Sequence, residues 1–369
     1  MTIGILKEPA LENRVSLLPE AVAAITKKGL AVIAESGAGQ RAFASDGDYE
    51  KAGAQVKSRA EVLSAATVLL SLNLLDEMPP ANVILIGVYQ PLYNPQVMKQ
   101  WAEAGITSFS LDMLPRTTRA QSMDVLSSQA NIAGYKAVVN AAATYPRYFP
   151  MLMTAAGSIA PAKILILGAG VAGLQAIATA KRLGAVVEVF DTRAAVKEEV
   201  QSLGAKFIEV DGAADASAAG GYAVEQTEEY KQKQQQRIAE SIAKADIVIT
   251  TAQIPGKKAP LLITTEMVEG MRAGSLIMDI VAATGGNCSL TKNNETVEHK
   301  GVKIVGCSTL PGEMCADASK VYGKNVWNFL QLIIDKENNL NLNFEDDLIK
   351  GSCITHNGAV EHERVKSLL

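Results

Sequence analysis

The sequence predicts an α/β protein built from two doubly wound parallel-sheet domains. Three observations predict it. Short apolar runs alternate with segments of helical periodicity along most of the chain, the pattern of strands joined by crossover helices. A polar turn near 115–124 gives way to one long helical stretch, 125–143, long enough to run from one domain into the next. Residues 163–191, KILILGAGVAGLQAIATAKRLGAVVEVFD, hold a complete strand–helix–strand unit with a glycine-rich turn.

In chain order, TIGIL at 2–6 reads as the first strand, followed by Lys7, Glu8 and Asn13-Arg14-Val15. Residues 19–28 read as a helix ended by Gly29, and 31–35 as the next strand. Residues 46–53 and 58–66 read as helices, and 67–72, 83–88 and 106–110 as strands. The first 110 residues thus form one α/β domain with no glycine fingerprint of its own.

The second domain opens with MLMTAAGSIAPAK and the glycine-rich unit. Each residue type there has a physical task. Gly168 permits the tight turn from the strand 164–167 into the helix 174–183, Gly170 lets a pyrophosphate approach the backbone, and Gly173 lets helix and strand pack closely. The helix N-terminus offers N–H groups and a positive dipole end to phosphates. Asp191, closing the second strand (186–190), follows Gly173 by 18 residues. A carboxylate at that place accepts from a ribose 2′-hydroxyl and repels a 2′-phosphate, which selects NAD over NADP. Arg193 beside it is of the type that holds a 2′-phosphate; the acid outweighs it. Strand, glycines, helix, second strand and acid occur in order, so the unit reads as a Rossmann-like dinucleotide site. The candidate cofactor contacts are Gly168, Ala169, Gly170, Val171, Ala172 and Gly173, with Asp191, Thr192 and Arg193 at the second strand's end.

Further on, 195–203 reads as a helix and 206–210 as a strand. Residues 211–226, DGAADASAAGGYAVEQ, are rich in Ala and Gly with one aromatic, Tyr222. Composition fits a mobile lid and a solvated linker equally. A helix at 228–243, strands at 247–250, 275–279 and 302–305, and a long helix at 317–332 follow. That last helix and the tail, with 341–344 and 351–355, return to the first domain. The domains are then 1–130 with 320–369, and 131–319, joined by long helices, with the cofactor expected in the cleft between them at the C-terminal strand ends.

Composition excludes several classes. Hydrophobic residues make up 48% and charged residues 20% of 369, with a net charge of -4. There is no basic patch with interleaved aromatics, so a nucleic-acid surface is not indicated. The four cysteines, Cys288, Cys307, Cys315 and Cys353, form no CxxC pair, and only three histidines occur. This argues against a zinc site and a disulfide framework, and for a reducing cytoplasmic compartment. The opening stretch MTIGILKEPALENRVSLL holds no long apolar run and reads as no signal peptide. The uncharged stretch 164–180 is shorter than the roughly 20 residues a span needs, and the fingerprint accounts for it.

Four segments carry a resemblance: KEPALENRVSLLP, PRTTRAQSMDVLSSQANIAGYKAV, GAGVAGLQAIATAKRLGAVVEVFD, and TAQIPGKKAPLLIT followed by GGNC. They resemble the NAD(H)-binding alpha subunits of proton-translocating nicotinamide nucleotide transhydrogenases, in a superfamily that includes alanine dehydrogenase. RxxxxQSMDxLSSQ is the specific part. The resemblance implies that Arg116, Gln121, Asp124 and Ser127 position the nicotinamide and its carboxamide, that Tyr222 sits on a loop closing over the nucleotide, and that Gln253 of TAQIPGKK contacts it. Spacing alone favours a surface ion pair for Arg116 and Asp124; the resemblance reverses that. It further implies a homodimer, peripheral on the cytoplasmic face of the inner membrane through a membrane-spanning subunit. An NADP(H)-binding beta subunit would accept the hydride from NADH, coupled to proton flow. The form resembled is the split one, whose membrane part is a separate polypeptide.

The alternative is an amino-acid dehydrogenase. Its chemistry needs a proton donor and cations for the substrate carboxylate and carbonyl. The resemblance places that Lys near 69–73 and that His after the strand near Val88. No Lys or His occurs between Lys57 and Lys99, and after Asp279 the turn reads Ile280-Val281-Ala282-Ala283-Thr284 without a further acid. Arg14 survives, and an internal ion pair is its expected role. Transfer between two nicotinamides needs no local acid or base, only alignment and exclusion of water.

Overall fold

The computed structural model describes residues 1–210 and 227–369. The chain divides into two compact units, Met1–Gln129 with Pro311–Leu369, and Ala130–Leu310. The second boundary falls at 310/311, ahead of the 319/320 expected from sequence, because the whole helix that follows belongs to the first unit.

The first unit begins β1 (Thr2–Ile5), α1 (Pro19–Lys27), β2 (Ala31–Glu35), α2 (Asp46–Lys51), β3 (Gln55–Lys57), α3 (Arg59–Ala65), β4 (Val68–Leu70), β5 (Ile84–Gly87), α4 (Pro95–Glu103) and β6 (Thr107–Ser110). Local chemistry sets these boundaries. Ser45 with Asp48, and Ser58 with Glu61, form capping boxes that start α2 and α3. Gly29, at φ +85°, ends the turn after α1. The strands pair in the order β3-β2-β1-β4-β5-β6, all parallel. Their apolar runs are buried because helices cover both faces of a parallel sheet.

Helix α5 (Val125–Thr144) carries the chain into the second unit. There follow β7 (Leu152–Thr154), β8 (Gly157–Ile159), β9 (Lys163–Leu167), α6 (Val171–Arg182), β10 (Val186–Phe190), α7 (Lys197–Ser202) and β11 (Lys206–Phe207). Then come α8 (Glu228–Ile242), β12 (Ile247–Thr250), α9 (Thr265–Glu269), β13 (Leu276–Asp279), β14 (Thr296–His299) and β15 (Val302–Gly306). The sheet order is β11-β10-β9-β12-β13-β15-β14. Two apolar clusters, one containing Ile164, Ile166 and Ile249, the other Leu165, Leu167 and Val248, lie on its two faces.

The return into the first unit adds α10 (Cys315–Leu330), α11 (Asp347–Ser352), β16 (Cys353–His356), β17 (Ala359–Val360) and α12 (Glu363–Lys366). Strand β16 joins β6 antiparallel and β17 follows it antiparallel, extending the first sheet to eight strands.

Each unit is therefore doubly wound, with a switch in strand order between β1 and β4 in the first and between β9 and β12 in the second. Several local expectations shift. Helix α6 begins at Val171, three residues before the expected start, because its first turn is the end of the glycine motif. The turn at 115–124 contains a 3₁₀ helix, Thr118–Met123. The strand expected at 206–210 pairs only over Lys206–Phe207. The stretch 195–203 starts as a 3₁₀ turn, Ala194–Val196, before α7. The hairpin β7–β8, helix α4 and the antiparallel strand β14 were not expected from the sequence. The lid expected at 211–226, with Tyr222, lies outside the described residues.

Candidate functional site

The glycine turn sits at the switch point of the second sheet. Gly168 has φ +105°, a conformation that only glycine adopts without strain. Its N–H donates to the Phe190 carbonyl at 2.8 Å. A Cβ built on Gly173 would lie 1.9 Å from the Gly168 carbonyl oxygen, so α6 packs against the turn only because residue 173 has no side chain. A Cβ on Gly170 would meet nothing within 4 Å. The backbone there borders open space, at the N-terminus of a helix with no side-chain cap. Those two features make the place fit for a pyrophosphate. The same Cβ construction on Gly134 of α5 falls 2.0 Å from the Ala172 carbonyl oxygen, so this glycine, not singled out from sequence, lets α5 lie against the turn. Asn131 of α5 also donates to Gln175 of α6 at 3.3 Å. Val171 is exposed and Ala169 buried.

Asp191 reaches back to this turn. Its Oδ2 accepts the Ala169 N–H at 2.7 Å. The same carboxylate is gripped by Arg193: Oδ1 accepts its backbone N–H at 2.8 Å and its Nε at 2.9 Å, and Oδ2 accepts Nη2 at 2.7 Å. Arg193 thus serves as an ion-pair partner of the acid, where sequence alone also allowed it to be a holder of 2′-phosphate. Thr192, between them, is half-buried.

Gln253 is exposed on the loop after β12. That loop is shaped by a residue whose role sequence reasoning missed. Asn287 is fully buried and pairs with Ala252 in both directions: it accepts the Ala252 N–H at 3.1 Å and donates to the Ala252 carbonyl at 2.9 Å. Its Nδ2 also donates to the Pro260 carbonyl at 2.7 Å. Asp279 holds Asn287 in turn, its Oδ2 accepting the N–H groups of Asn287 at 2.7 Å and Cys288 at 3.2 Å and the hydroxyl of Thr291 at 2.7 Å. Thr251 Oγ1 donates to the Gly168 carbonyl at 3.0 Å, tying the loop to the glycine turn. The clue in the sequence was GGNC, where a glycine pair precedes a short amide.

The remaining candidates, Arg116, Gln121, Asp124 and Ser127, lie in the first unit. Asp124 caps α5, accepting the Ser127 N–H at 2.9 Å and its hydroxyl at 2.6 Å. Gln121 and Arg116 are exposed. The segment is fixed from α10: Asn325 and Asn328 both donate to the Ser122 carbonyl, at 2.8 and 2.9 Å. Asn325, itself buried, also accepts the Ser128 hydroxyl at 2.8 Å. Arg119 pairs with Asp346 and Asp347 at 2.6 and 2.7 Å. The two asparagines left no local sequence signal, since they lie some 200 positions from the loop they hold.

The switch point of the first sheet is closed by its own side chains. Glu8, after β1, accepts the Leu72 N–H at 2.6 Å and the Asn73 side-chain amide at 3.0 Å, after β4. Burial pushes the Glu8 carboxyl up to about 7. Arg14 is bound by Glu12 through Nε and Nη2, at 2.8 and 2.6 Å, and by Gln129 at 2.8 Å. The internal ion pair expected of Arg14 is present.

Among the described residues no group of three or more His, Cys, Asp or Glu is placed to hold a metal, no helix is long and apolar enough to cross a membrane, and the four cysteines are free and buried.

Comparison with known proteins places the chain. The alanine dehydrogenase/PNT N-terminal domain matches residues 4–133 and the corresponding C-terminal domain residues 137–363. The first of the polypeptides that make up the NAD(P) transhydrogenase alpha subunit of Rhodospirillum rubrum is 46% identical over 377 residues, covering 98% of each chain. The crystal structure of a transhydrogenase from Sinorhizobium meliloti superposes with a TM-score of 0.88 at 44% identity, covering 98% of this chain and 100% of that one. An L-alanine dehydrogenase structure shares the fold, with a TM-score of 0.83 at 24% identity over 100% of this chain and 99% of that one. With both domain models matched and a relative of that identity covered end to end, the chain belongs to the alanine dehydrogenase/PNT family.

Proposed function

We propose that the chain is the NAD(H)-binding alpha subunit of a proton-translocating NAD(P) transhydrogenase. The observation that carries this reading is the contrast between the two switch points. In the second unit the backbone beside Gly170 is open and Asp191 stands against the glycine turn. In the first, Glu8 fills the equivalent place and Arg14 is neutralised by Glu12. A 2-oxo acid substrate needs a cation for its carboxylate and a proton donor for its carbonyl or imine. The one arginine of that region is taken, and a carboxylate lines the crevice. The relatives named as transhydrogenase subunits support the same reading.

On this reading the turn 168–173 binds the pyrophosphate and Asp191 the adenosine ribose, with Thr192 and Gln253 bordering the nucleotide. Bound NADH supplies the hydride. Gln121 and Arg116 orient the carboxamide and Asp124 with Ser127 holds the start of α5, while Tyr222 closes over the nucleotide. The acceptor NADP+ is held on a beta subunit, and a membrane-spanning subunit couples the transfer to proton translocation. The chain then works at the cytoplasmic face of the inner membrane without crossing it.

The chain works as a homodimer on the same reading. The hairpin β7–β8 supports this. Met151 and Met153 are 61% and 73% exposed, and Ile159 is 37% exposed. A lone two-stranded hairpin is marginal in water, and one with an apolar surface calls for a covering chain.

The test is reconstitution. Purified chain is added to membranes lacking this subunit, and NADH-dependent reduction of NADP+ is followed, with pyruvate plus ammonium as a parallel acceptor. NADP+ reduction that requires both chain and membranes supports the proposal. NADH oxidation by the chain alone with pyruvate and ammonium favours an amino-acid dehydrogenase.

A further inference from the structure

We propose that Arg193 is a specificity-determining residue that locks Asp191 in the nucleotide-free chain, and that a ribose with free 2′- and 3′-hydroxyls binds by exchanging its two O–H donors for the two guanidinium donors. This rests on the reading that Asp191 recognises the adenosine ribose.

The hydrogen-bond count at the carboxylate carries the inference. An ionised carboxylate has about four in-plane acceptor positions. Oδ1 accepts from Arg193 N and Nε, at 2.8 and 2.9 Å; Oδ2 accepts from Ala169 N and Arg193 Nη2, both at 2.7 Å. All four are filled. The Asp191 side chain is 6% exposed and that of Arg193 18%, so the pair is shielded from water. No ribose hydroxyl finds an acceptor while this arrangement lasts. Two of the four donors are backbone N–H groups, fixed by the turns at 169 and 193. The other two come from one movable side chain and sit one on each oxygen. A vicinal diol also brings two O–H donors, one for each oxygen. The exchange keeps the number of hydrogen bonds, and only the ion pair is given up.

The lock sharpens discrimination. A nucleotide with a 2′-phosphate must also displace the guanidinium, yet it returns no donor at the 2′ position and sets a like charge beside Asp191. The buried carboxylate would then be left short of partners, which is costly. Arg193 therefore acts against NADP(H), although an arginine at this position in the bare sequence suggests the reverse. It also takes part of the NADH binding energy, since each binding event breaks a bidentate, shielded ion pair.

The test is titration of NADH and NADPH fluorescence against the purified wild-type chain, Arg193→Ala, Arg193→Lys and Asp191→Ala. Arg193→Ala is expected to bind NADH about tenfold more tightly, because two acceptor positions stand open in advance. Arg193→Lys, with a single ammonium that cannot fill both oxygens at once, is expected between wild type and Ala. It also serves where the Ala variant fails to fold. Weaker NADH binding by either Arg193 variant overturns the lock, as does unchanged binding. Asp191→Ala separates the two levels. If it abolishes the preference for NADH over NADPH while the Arg193 variants bind NADH more weakly, only the lock is wrong. If it leaves the preference intact, the assignment of Asp191 to the ribose is wrong as well.

Discussion

Asn287 and Ala252 pair as two strands would, each amide both giving and taking a hydrogen bond, although one partner is a side chain. The loop that carries Gln253 thereby takes its shape from a residue 34 positions beyond it in the chain. Truncation to Asn287→Ala leaves buried donors and acceptors without partners on Ala252 and Pro260. We expect a loss of about 2–4 kcal/mol of stability in urea titrations, together with weaker NADH binding. A variant with wild-type stability would show that water or a shifted loop replaces the amide.

The glycines of the turn separate into two kinds. Gly173→Ala drives a methyl group into the Gly168 carbonyl and is expected to destabilise the second unit by about 2 kcal/mol or more. Gly170→Ala meets no protein atom and is expected to leave the melting temperature within a degree or two. It should nevertheless weaken NADH binding by at least about tenfold, since its methyl group occupies the pyrophosphate's approach. Calorimetry and fluorescence titration on the same two variants check both statements.

Much of this is legible in the sequence alone. The unit 163–191 stands out because strand, glycine turn, helix and acid are all local in sequence. Strands β9, β10 and β12 fall within a residue of the expected runs, as apolar stretches bounded by Gly, Lys or Asp must. What the sequence hides is long-range. Asn325 and Asn328 hold the Ser122 carbonyl from α10, and no periodicity marks an amide that serves a distant loop. The antiparallel strand β16 reads as tail, because its partner β6 lies some 245 residues earlier. Arg193 is visible, but its grip on Asp191 is not, since a side chain two residues along a strand end can point either way.

Glu8 gives the fold a pH signature. Its carboxyl is raised from 4.5 to about 7 by burial. The folded state therefore binds more protons than the unfolded state between those values. The associated stability is full below about 4.5 and is lost as pH rises through about 7, by roughly 3 kcal/mol. Glu8→Gln keeps a carbonyl acceptor for Leu72 and cannot ionise. It is expected to match wild type at pH 5 and to exceed it at pH 8 in denaturant midpoints. Parallel pH curves for the two proteins would contradict this.

Gln121 and Asp124 are close in sequence and are expected to behave differently. Asp124 caps a helix, so Asp124→Ala costs about 1 kcal/mol of stability. Gln121 is exposed, so Gln121→Ala leaves stability unchanged. In reconstituted membranes Gln121→Ala should lower kcat far more than it changes the dissociation constant for NADH, as expected for a side chain that orients the reacting ring. A pure binding defect would remove Gln121 from the reacting end.

The hairpin β7–β8 gives a prediction about assembly. Met153→Asp places a charge on its exposed apolar surface. We expect light scattering to report a dimer for the wild-type chain and a shift toward monomer for the variant, with the thermal transition of each unit retained. A wild-type monomer would leave the hairpin to another partner.

The decisive measurement follows the hydride itself. NADH carrying deuterium at the transferable C4 position is given to the chain reconstituted with depleted membranes and NADP+, and the NADPH formed is analysed by mass spectrometry. Direct transfer predicts deuterium retained in NADPH, with none washed into solvent, because the chain supplies no acid or base for an exchanging intermediate. NADPH formed without the label would rule direct transfer out.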